Sequence, residues 1–533
     1  MTASFTAAFL GCAVGLGAGF YLANGPSVYL TKDNDPRSRY ADIPTTLRVA
    51  SEIERRLGFP DAVSYNKDLL EQYGHSDLST SNSPGRAAAV VYPRFTDDVV
   101  VIAKACHASR VPMIPYGAGS SVEGNFSQPH GGIILDMSRM DAIVATHADD
   151  LDVVVQPGVN WVELNTHLAP SGLFAPLDPS PTATIGGMVS TNCSGTNAFR
   201  YGTMKDWVLN LTVVLADGTV LKTRRRPRKT SAGYNLTSVF VGAEGTLGII
   251  TEVTLKLAPV PEATSVAAVP FTTIHAAASA ASALIRSGIP LAALELMDDA
   301  QMALLNRYGS PAVRSRLWAE SPTLFLRFAG TTPGILVDSA RTKETLRPFV
   351  APDITMHFAA TKAEEHDIWA ARKEALFTMV STRPAGTEIW STDVAVPISR
   401  LTEIIEVSKE ECSGLGIWAS VIGHVGDGNF HVAMLYDPRS EAQRRGVERC
   451  VKRMMARALE MEGTVSGEHG VGIGKIGALE EEVGGEAVGL MRRLKGVVDE
   501  RWVMNPGKVV EWRGERAQVG VEGYPGMIRR LMG

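Results

Sequence analysis

The chain has 533 residues, 45% of them apolar and 20% charged, with a formal net charge of -5 and a pI near 6.2. That length accommodates two or three packed domains, and the composition is that of an ordinary globular protein, not of a disordered or collagen-like chain. The slight acidity supplies no field for nucleic acid, and five scattered cysteines (Cys12, Cys106, Cys193, Cys412, Cys450) without a CxxC argue against a disulfide framework or a thiolate zinc site and fit a reducing compartment.

In chain order, no charged side chain precedes Lys32, and FTAAFLGCAVGLGAGFYLA supplies 19 mostly apolar or small residues, about the minimum for a membrane span. Gly11, Gly15 and Gly19 repeat at four-residue spacing, and Lys32, Arg37 and Arg39 follow at interfacial distance. Residues 1–31 therefore read as a membrane anchor, with a targeting segment as the competing reading, although the basic start or arginines of such a segment are missing. Residues 32–83 read as a polar helical lead-in containing TTLRVASEIERRLG. From 84 to 261, short apolar strands (AAAVVYP, GGIILDM, LDVVVQPG, LTVVLADG, LGIITEVTLKL) alternate with helical runs such as TDDVVVIAKACHASR, which predicts an α+β or α/β domain. A second region, 262–512, opens on the Ala-rich helix TTIHAAASAASALIRSG and continues with strands SPTLFLRFAG and TEIWSTDVAVP, predicting a sheet covered on one face. The helix GALEEEVGGEAVGLMRRLKGVVD and the segment MNPGKV close it, and 513–533 is a tail.

Sixteen of the 51 glycines lie between 115 and 250, many of them in three loop segments. PYGAGSS (115–121) follows the strand-like VPMI and offers successive backbone amides for an anion-binding nest. PTATIGGMVSTNCSGTNAFRYG (181–202) and FVGAEGTLGIIT (240–251) are two further Gly-rich segments, and three such loops converging would wrap a long phosphorylated ligand. None has the spacing GxGxxG after a first strand or GxxxxGK[ST], so neither a Rossmann fold nor a P-loop is supported.

GHVGDGNFH (423–431) sets two histidines around a glycine-bearing loop with strand-like flanks IWASVIG and FHVAMLY. A hairpin makes His424 and His431 neighbours, at a separation from which two imidazoles reach one divalent ion. Taken alone, a plain turn and one wall of a metal site both stay open.

Together these stretches resemble the FAD-binding domain of the vanillyl-alcohol-oxidase and p-cresol-methylhydroxylase family: PYGAGSS, LDMSRM, VVQPGV, the IGG of TATIGG and GAEGTLGIIT stand in that family's order. The second half, with GHVGDGNFH, GTVSGEHGVGIGK (463–475) and VMNPGKV (503–509), is similar to the mitochondrial D-lactate dehydrogenases that reduce cytochrome c, and to D-2-hydroxyglutarate and glycolate dehydrogenases. The resemblance spans roughly residues 80–512. It implies an α+β fold: a two-subdomain FAD-binding domain and an α+β cap with an antiparallel sheet. FAD contacts are implied for Pro115, Gly117, Ala118, Gly119, Ser120, Ser121 and Gly124, for Pro157 and Gly158, and for Thr184, Ile185, Gly186, Gly187, Gly195, Tyr201 and Gly202. Glu244, Gly245, Gly248, Ile249, Ile250 and Asn505 complete that set. The first loop carries no histidine, so the flavin is expected to be held without a covalent bond.

The resemblance further implies that His424, His431 and Glu468 bind a divalent metal (Zn or Mn), that His469 is the catalytic base and that Arg372 grips a substrate carboxylate. The residue chemistry supports these roles. Two imidazoles and a carboxylate leave positions open for a chelating 2-hydroxy acid, whose acidified hydroxyl His469 can deprotonate. Arg372, in HDIWAARKEAL, is suited to bidentate pairing, or equally to a solvated helical face beside Glu365 and Lys373. His469 can also be read as a satisfied loop histidine. The expected partners are a small 2-hydroxy acid, cytochrome c and, through the N-terminal segment, the mitochondrial inner membrane. Val432, Ala433 and Met434 after His431 are apolar, where the 2-hydroxyglutarate enzymes carry an asparagine at the place of Ala433, which favours lactate. The basic run TRRRPRKT (223–230) reads as a solvated hairpin tip or a contact for anionic lipid. Two other classes stay open: a non-redox synthase on the same flavin fold, as in alkyl-dihydroxyacetone-phosphate synthase, and a non-enzymatic flavin subunit of a membrane complex.

Overall fold

Helix signals near the start of the chain are strong: in IPTTLRVASEIERRL, Asp42 caps the helix by accepting from the Thr45 amide, and Gly58 ends it in a left-handed turn. The computed structural model describes residues 39–512, so the expected anchor at 1–31 and the tail at 513–533 lie outside the described residues. The buried face of helix Ile43–Leu57, Val49, Ala50 and Ile53, packs with Val99, Ile102, Ala103 and Cys106 of the helix Thr96–Ser109. The lead-in is thereby built into the first lobe.

That lobe holds two sheets. In the first, strands Ala89–Val91, Ile133–Asp136 and Met113–Tyr116 pair in parallel and Val63–Ser64 adds antiparallel. The second is five-stranded and antiparallel, with Ile249–Lys256 at its centre between Asp152–Val155 and Val208–Val214. IITEVTLK takes the centre because six of its eight residues are buried, and its β-branched side chains fill both faces. A late segment returns to this lobe: the Met113 amide donates to the Val503 carbonyl at 2.7 Å, and Asn505 donates back to the Met113 carbonyl at 2.7 Å.

The second lobe is an antiparallel sheet of eight strands. One-sided cover was expected from the helix and strand repeat, and the structure corrects this. Strand Leu291–Met297 (LAALELM) is buried at every position. Leu294 and Leu296 face helices Ile274–Arg286, Leu401–Gly414 and Glu441–Glu460, while Ala293 and Met297 face Asp299–Tyr308 and Lys362–Thr382. A strand apolar at both parities needs cover on both faces. The alanines of the first of these helices (Ala277, Ala280, Ala281) are fully buried and let it lie close against the sheet. The architecture is α+β. Among the described residues, no helix is long and apolar enough to cross a membrane.

Candidate active site

The hairpin forms as expected, with a difference in register. Strands Trp418–Gly423 and Asn429–Tyr436 pair antiparallel, but His431 stands opposite Ile422, and His424 lies just past the first strand. The rings still meet, with centroids 5.5 Å apart and planes at 89°. The two turn glycines serve different ends. Gly428 is left-handed at φ +78°, whereas Gly426 is not, and a Cβ there would lie 2.5 Å from the Phe199 ring of the flavin lobe.

Glu468 joins the pair across the lobes. Its Oε1 lies 3.2 Å from Nε2 of both His424 and His431, and Oε2 accepts from the Ser194 hydroxyl and from the Gly195 amide at 3.2 Å. The far nitrogens are held as well: His424 Nδ1 donates to Glu295 at 3.0 Å, and His431 Nδ1 to the Thr392 carbonyl at 2.9 Å. Burial opposes charge on His424, yet Glu295 and Glu468 outweigh it and hold the imidazole well above its ordinary value. Glu468 is the mirror case: burial raises it, and the two imidazoles hold it well below the usual carboxylate range. One ligand atom from each of the three residues falls within a single 4.8 Å cluster, the reach of one divalent ion, and two imidazoles with one carboxylate suit zinc or manganese.

His469 stacks on His431 with centroids 4.9 Å apart and planes within 10°. Its Nδ1 is buried without a hydrogen-bond partner among the described residues, and burial pushes the ring down to about 4, which leaves it neutral near pH 7. The loop that carries it is fastened from two sides. Asp393 accepts the backbone amides of Glu468 and His469 at 2.9 and 2.8 Å, and Glu244 accepts those of Val471 and Gly472 at 2.7 and 2.9 Å. Burial raises the Asp393 carboxyl, but His469, Lys475 and His431 hold it below its ordinary range.

Arg372 is not on a solvated face. Ile368, Ala371, Arg372, Ala375 and Met379 form one buried stripe of helix Lys362–Thr382, and the guanidinium donates through Nε and Nη2 to Glu295 at 2.9 and 2.6 Å. His424, His431, Glu468, His469 and Arg372 line a cavity of about 690 Å³, in the range of a cofactor site, with Glu295 and Asp393 behind them. Ala433, Ile422 and Met379 line the same cavity, whereas Val432 and Met434 point into the core on the opposite face of the sheet. Val432 therefore contributes nothing to the pocket wall.

The other walls are the glycine-rich loops. Pro115, Gly117, Ala118, Gly119, Ser120, Ser121, Pro157, Thr184, Gly186, Gly187, Gly195, Glu244, Gly245, Gly248, Ile249, Ile250 and Asn505 all line the cavity. Thr184 Oγ1 is buried there without a partner among the described residues, an atom available to a ligand. Five expected flavin contacts stand behind the wall instead. Gly124 and Gly158 pack against the carbonyls of Ser81 and Met137, Ile185 is fully buried in the core, Tyr201 sits in an aromatic cluster with Phe174 and Trp207, and Gly202 packs on Asp206. They shape the loops from outside. Sequence reasoning missed Glu295 and Asp393. A lone carboxylate inside the otherwise apolar strand LAALELM was the available signal for the first; Asp393 had none.

The sequence profile of the FAD binding domain matches residues 87–224, and that of the FAD linked oxidases, C-terminal domain, matches residues 260–509. The chain belongs to the family of FAD-linked oxidases. Within that family it is 41% identical over 479 residues to a mitochondrial D-lactate dehydrogenase (cytochrome) of Kluyveromyces lactis, covering 88% of this chain and 82% of that protein. It is 44% identical over 448 residues to the protein of the same description from Arabidopsis thaliana, covering 83% and 77%. The fold is that of p-cresol methylhydroxylase, whose substrate-bound structure superposes with a TM-score of 0.72 over 88% of this chain and 97% of the other at 16% identity. The FAD-linked oxidase fold thus accounts for both lobes, and FAD is the cofactor of the first.

Proposed function

We propose that the chain is an FAD-dependent dehydrogenase that oxidises D-lactate to pyruvate and passes the electrons to cytochrome c at the mitochondrial inner membrane. One observation carries this reading: His424, His431, Glu468, His469 and Arg372 line the same cavity as the glycine-rich loops of the FAD-binding domain. The description of relatives such as the Kluyveromyces lactis protein as mitochondrial D-lactate dehydrogenases supports it.

The cavity-lining loop residues would hold FAD without a covalent bond, and FAD when bound would supply the electron-pair sink for a hydride from the substrate C2. His424, His431 and Glu468 would hold a divalent metal, which would supply a Lewis acid for the hydroxyl of a 2-hydroxy acid. Arg372 offers the cavity its Nη1 edge for the carboxylate, since among the described residues its hydrogen bonds go to Glu295 through Nε and Nη2. His469, neutral and with an unpartnered ring nitrogen, takes the hydroxyl proton as the C2 hydrogen leaves with its electron pair. Met379, Ile422 and Ala433 give the substrate end an apolar wall, which suits the methyl side chain of lactate. D-2-hydroxyglutarate and glycolate are the alternative substrates of the same chemistry, and a non-redox flavin synthase is the weaker alternative.

Anaerobic mixing of the purified flavoprotein with D-lactate, L-lactate, D-2-hydroxyglutarate and glycolate tests the reading. D-lactate alone should bleach the flavin rapidly. Equal rates with 2-hydroxyglutarate would remove the lactate assignment, and no bleaching by any of the acids would remove the dehydrogenase. For the membrane, deleting residues 1–30 should release an active, FAD-loaded enzyme into the soluble fraction, and a deletion protein that stays with the membranes defeats the anchor.

A further inference from the structure

Glu295 is the one charged residue of strand Leu291–Met297 and is 1% exposed. Its two oxygens are divided between two groups. Oε2 accepts from Nε and Nη2 of Arg372 at 2.9 and 2.6 Å, and Oε1 accepts from Nδ1 of His424 at 3.0 Å. A buried carboxylate on a central strand thus touches both the arginine assigned to the substrate carboxylate and a histidine assigned to the metal.

We propose that Glu295 is a positioning residue that couples the two halves of the substrate site, fixing His424 for metal binding and Arg372 for carboxylate binding. The inference rests on the functional reading above. Its physical content is that both neighbours are donors. Accepting from Nδ1–H keeps a proton on that nitrogen and turns Nε2 toward Glu468 and the cavity, so that Nε2 is the nitrogen a metal would take. Accepting from Nε and Nη2 turns that edge of Arg372 into the protein and leaves the Nη1 edge toward the cavity. A neutral amide of the same shape cannot do both, because one of its two ends is itself a donor.

The test uses the purified FAD-loaded full chain, as wild type, Glu295→Gln and Glu295→Asp. Four quantities are read: the chelator concentration that strips bound zinc or manganese, the dissociation constant of oxamate from the perturbed flavin spectrum, and kcat and KM for D-lactate at saturating metal. Glu295→Gln should lose metal at about 10- to 100-fold lower chelator, the usual effect of removing such a support. Oxamate should bind about tenfold more weakly, and excess metal should restore kcat while KM stays high. A general structural defect would lower kcat irrecoverably, so that pattern overturns the proposal, as do metal retention and oxamate affinity equal to wild type. If the Gln protein does not load FAD, the shorter Asp decides. It reaches only one neighbour and should impair metal retention or oxamate binding, and wild-type values for both overturn the proposal. A fully active wild type that binds no divalent ion instead removes the metal reading on which the inference stands.

Discussion

At the scale of single residues, the site separates into groups that would hold a metal and one that would move a proton. His424 and His431 share Glu468 Oε1 at 3.2 Å each, whereas His469 stacks on His431 at 4.9 Å and leaves its Nδ1 without a partner. Replacing either ligand histidine with alanine should abolish bound metal and substrate-driven flavin bleaching together while the protein stays yellow, because the flavin loops belong to the other lobe. Replacing His469 with glutamine should keep the metal and slow bleaching about 10²- to 10⁴-fold, the contribution of a general base. Metal analysis alongside stopped-flow reduction checks both. Unchanged metal content in His424→Ala and His431→Ala would return the two histidines to being parts of a turn. These residue types were legible in GHVGDGNFH and GEHG, since their spacing and neighbours are local. Glu295 was not, because its two partners lie 77 and 129 residues away in the chain.

At the scale of elements, the loop after Glu468 determines whether His469 stays in place. Gly472 is left-handed at φ +49°, and a Cβ there would lie 2.1 Å from the Glu123 carbonyl. Gly472→Ala must therefore both strain the backbone and push the loop off the flavin lobe, costing roughly 1–3 kcal/mol for the strained backbone alone. Gly288 is the control, being left-handed at φ +66° with nothing within 4 Å of its Cβ site. The expected outcome is a lower thermal midpoint for both alanine variants, with slowed flavin reduction only for Gly472→Ala, measured by flavin fluorescence on heating and by anaerobic bleaching. Equal reduction rates in the two variants would disconnect this loop from the chemistry. The basic run at 223–230 illustrates the opposite limit of local reading. Arg226 donates to Asp150 and Asp152 at 2.7 and 2.8 Å, and Arg228 reaches the carbonyls of Asp150 and Leu151, so part of its charge is matched within the protein.

At the scale of the whole molecule, the two lobes are tied by the late segment that returns to the first sheet, and Lys508 lies inside that tie. It is 1% exposed, its Nζ donates to Asn505 at 2.9 Å and to the Pro506 carbonyl at 3.3 Å, and burial pushes it down to about 7. Between that value and the ordinary lysine range near 10.4, the unfolded chain holds a proton that the folded chain has released. Stability from this group therefore rises with pH across the window and is lost as pH falls through about 7, with a slope of at most about 1.4 kcal/mol per pH unit. Lys508→Met should flatten that slope in denaturation midpoints measured between pH 7.5 and 9.5, and identical slopes in the two proteins would show the lysine to be charged throughout. The sequence by itself determined the strands, the helices, the loop glycines and the ligand-type residues, because periodicity, turn chemistry and motif spacing act over a few neighbours. Only the tertiary structure decided that Arg372 lies on a buried stripe, that Glu295 joins it to His424, that Val432 faces away from the pocket and that the large sheet is covered on both faces. Those outcomes depend on which distant surfaces meet, and packing between segments dozens to hundreds of residues apart leaves no periodic trace in either segment alone.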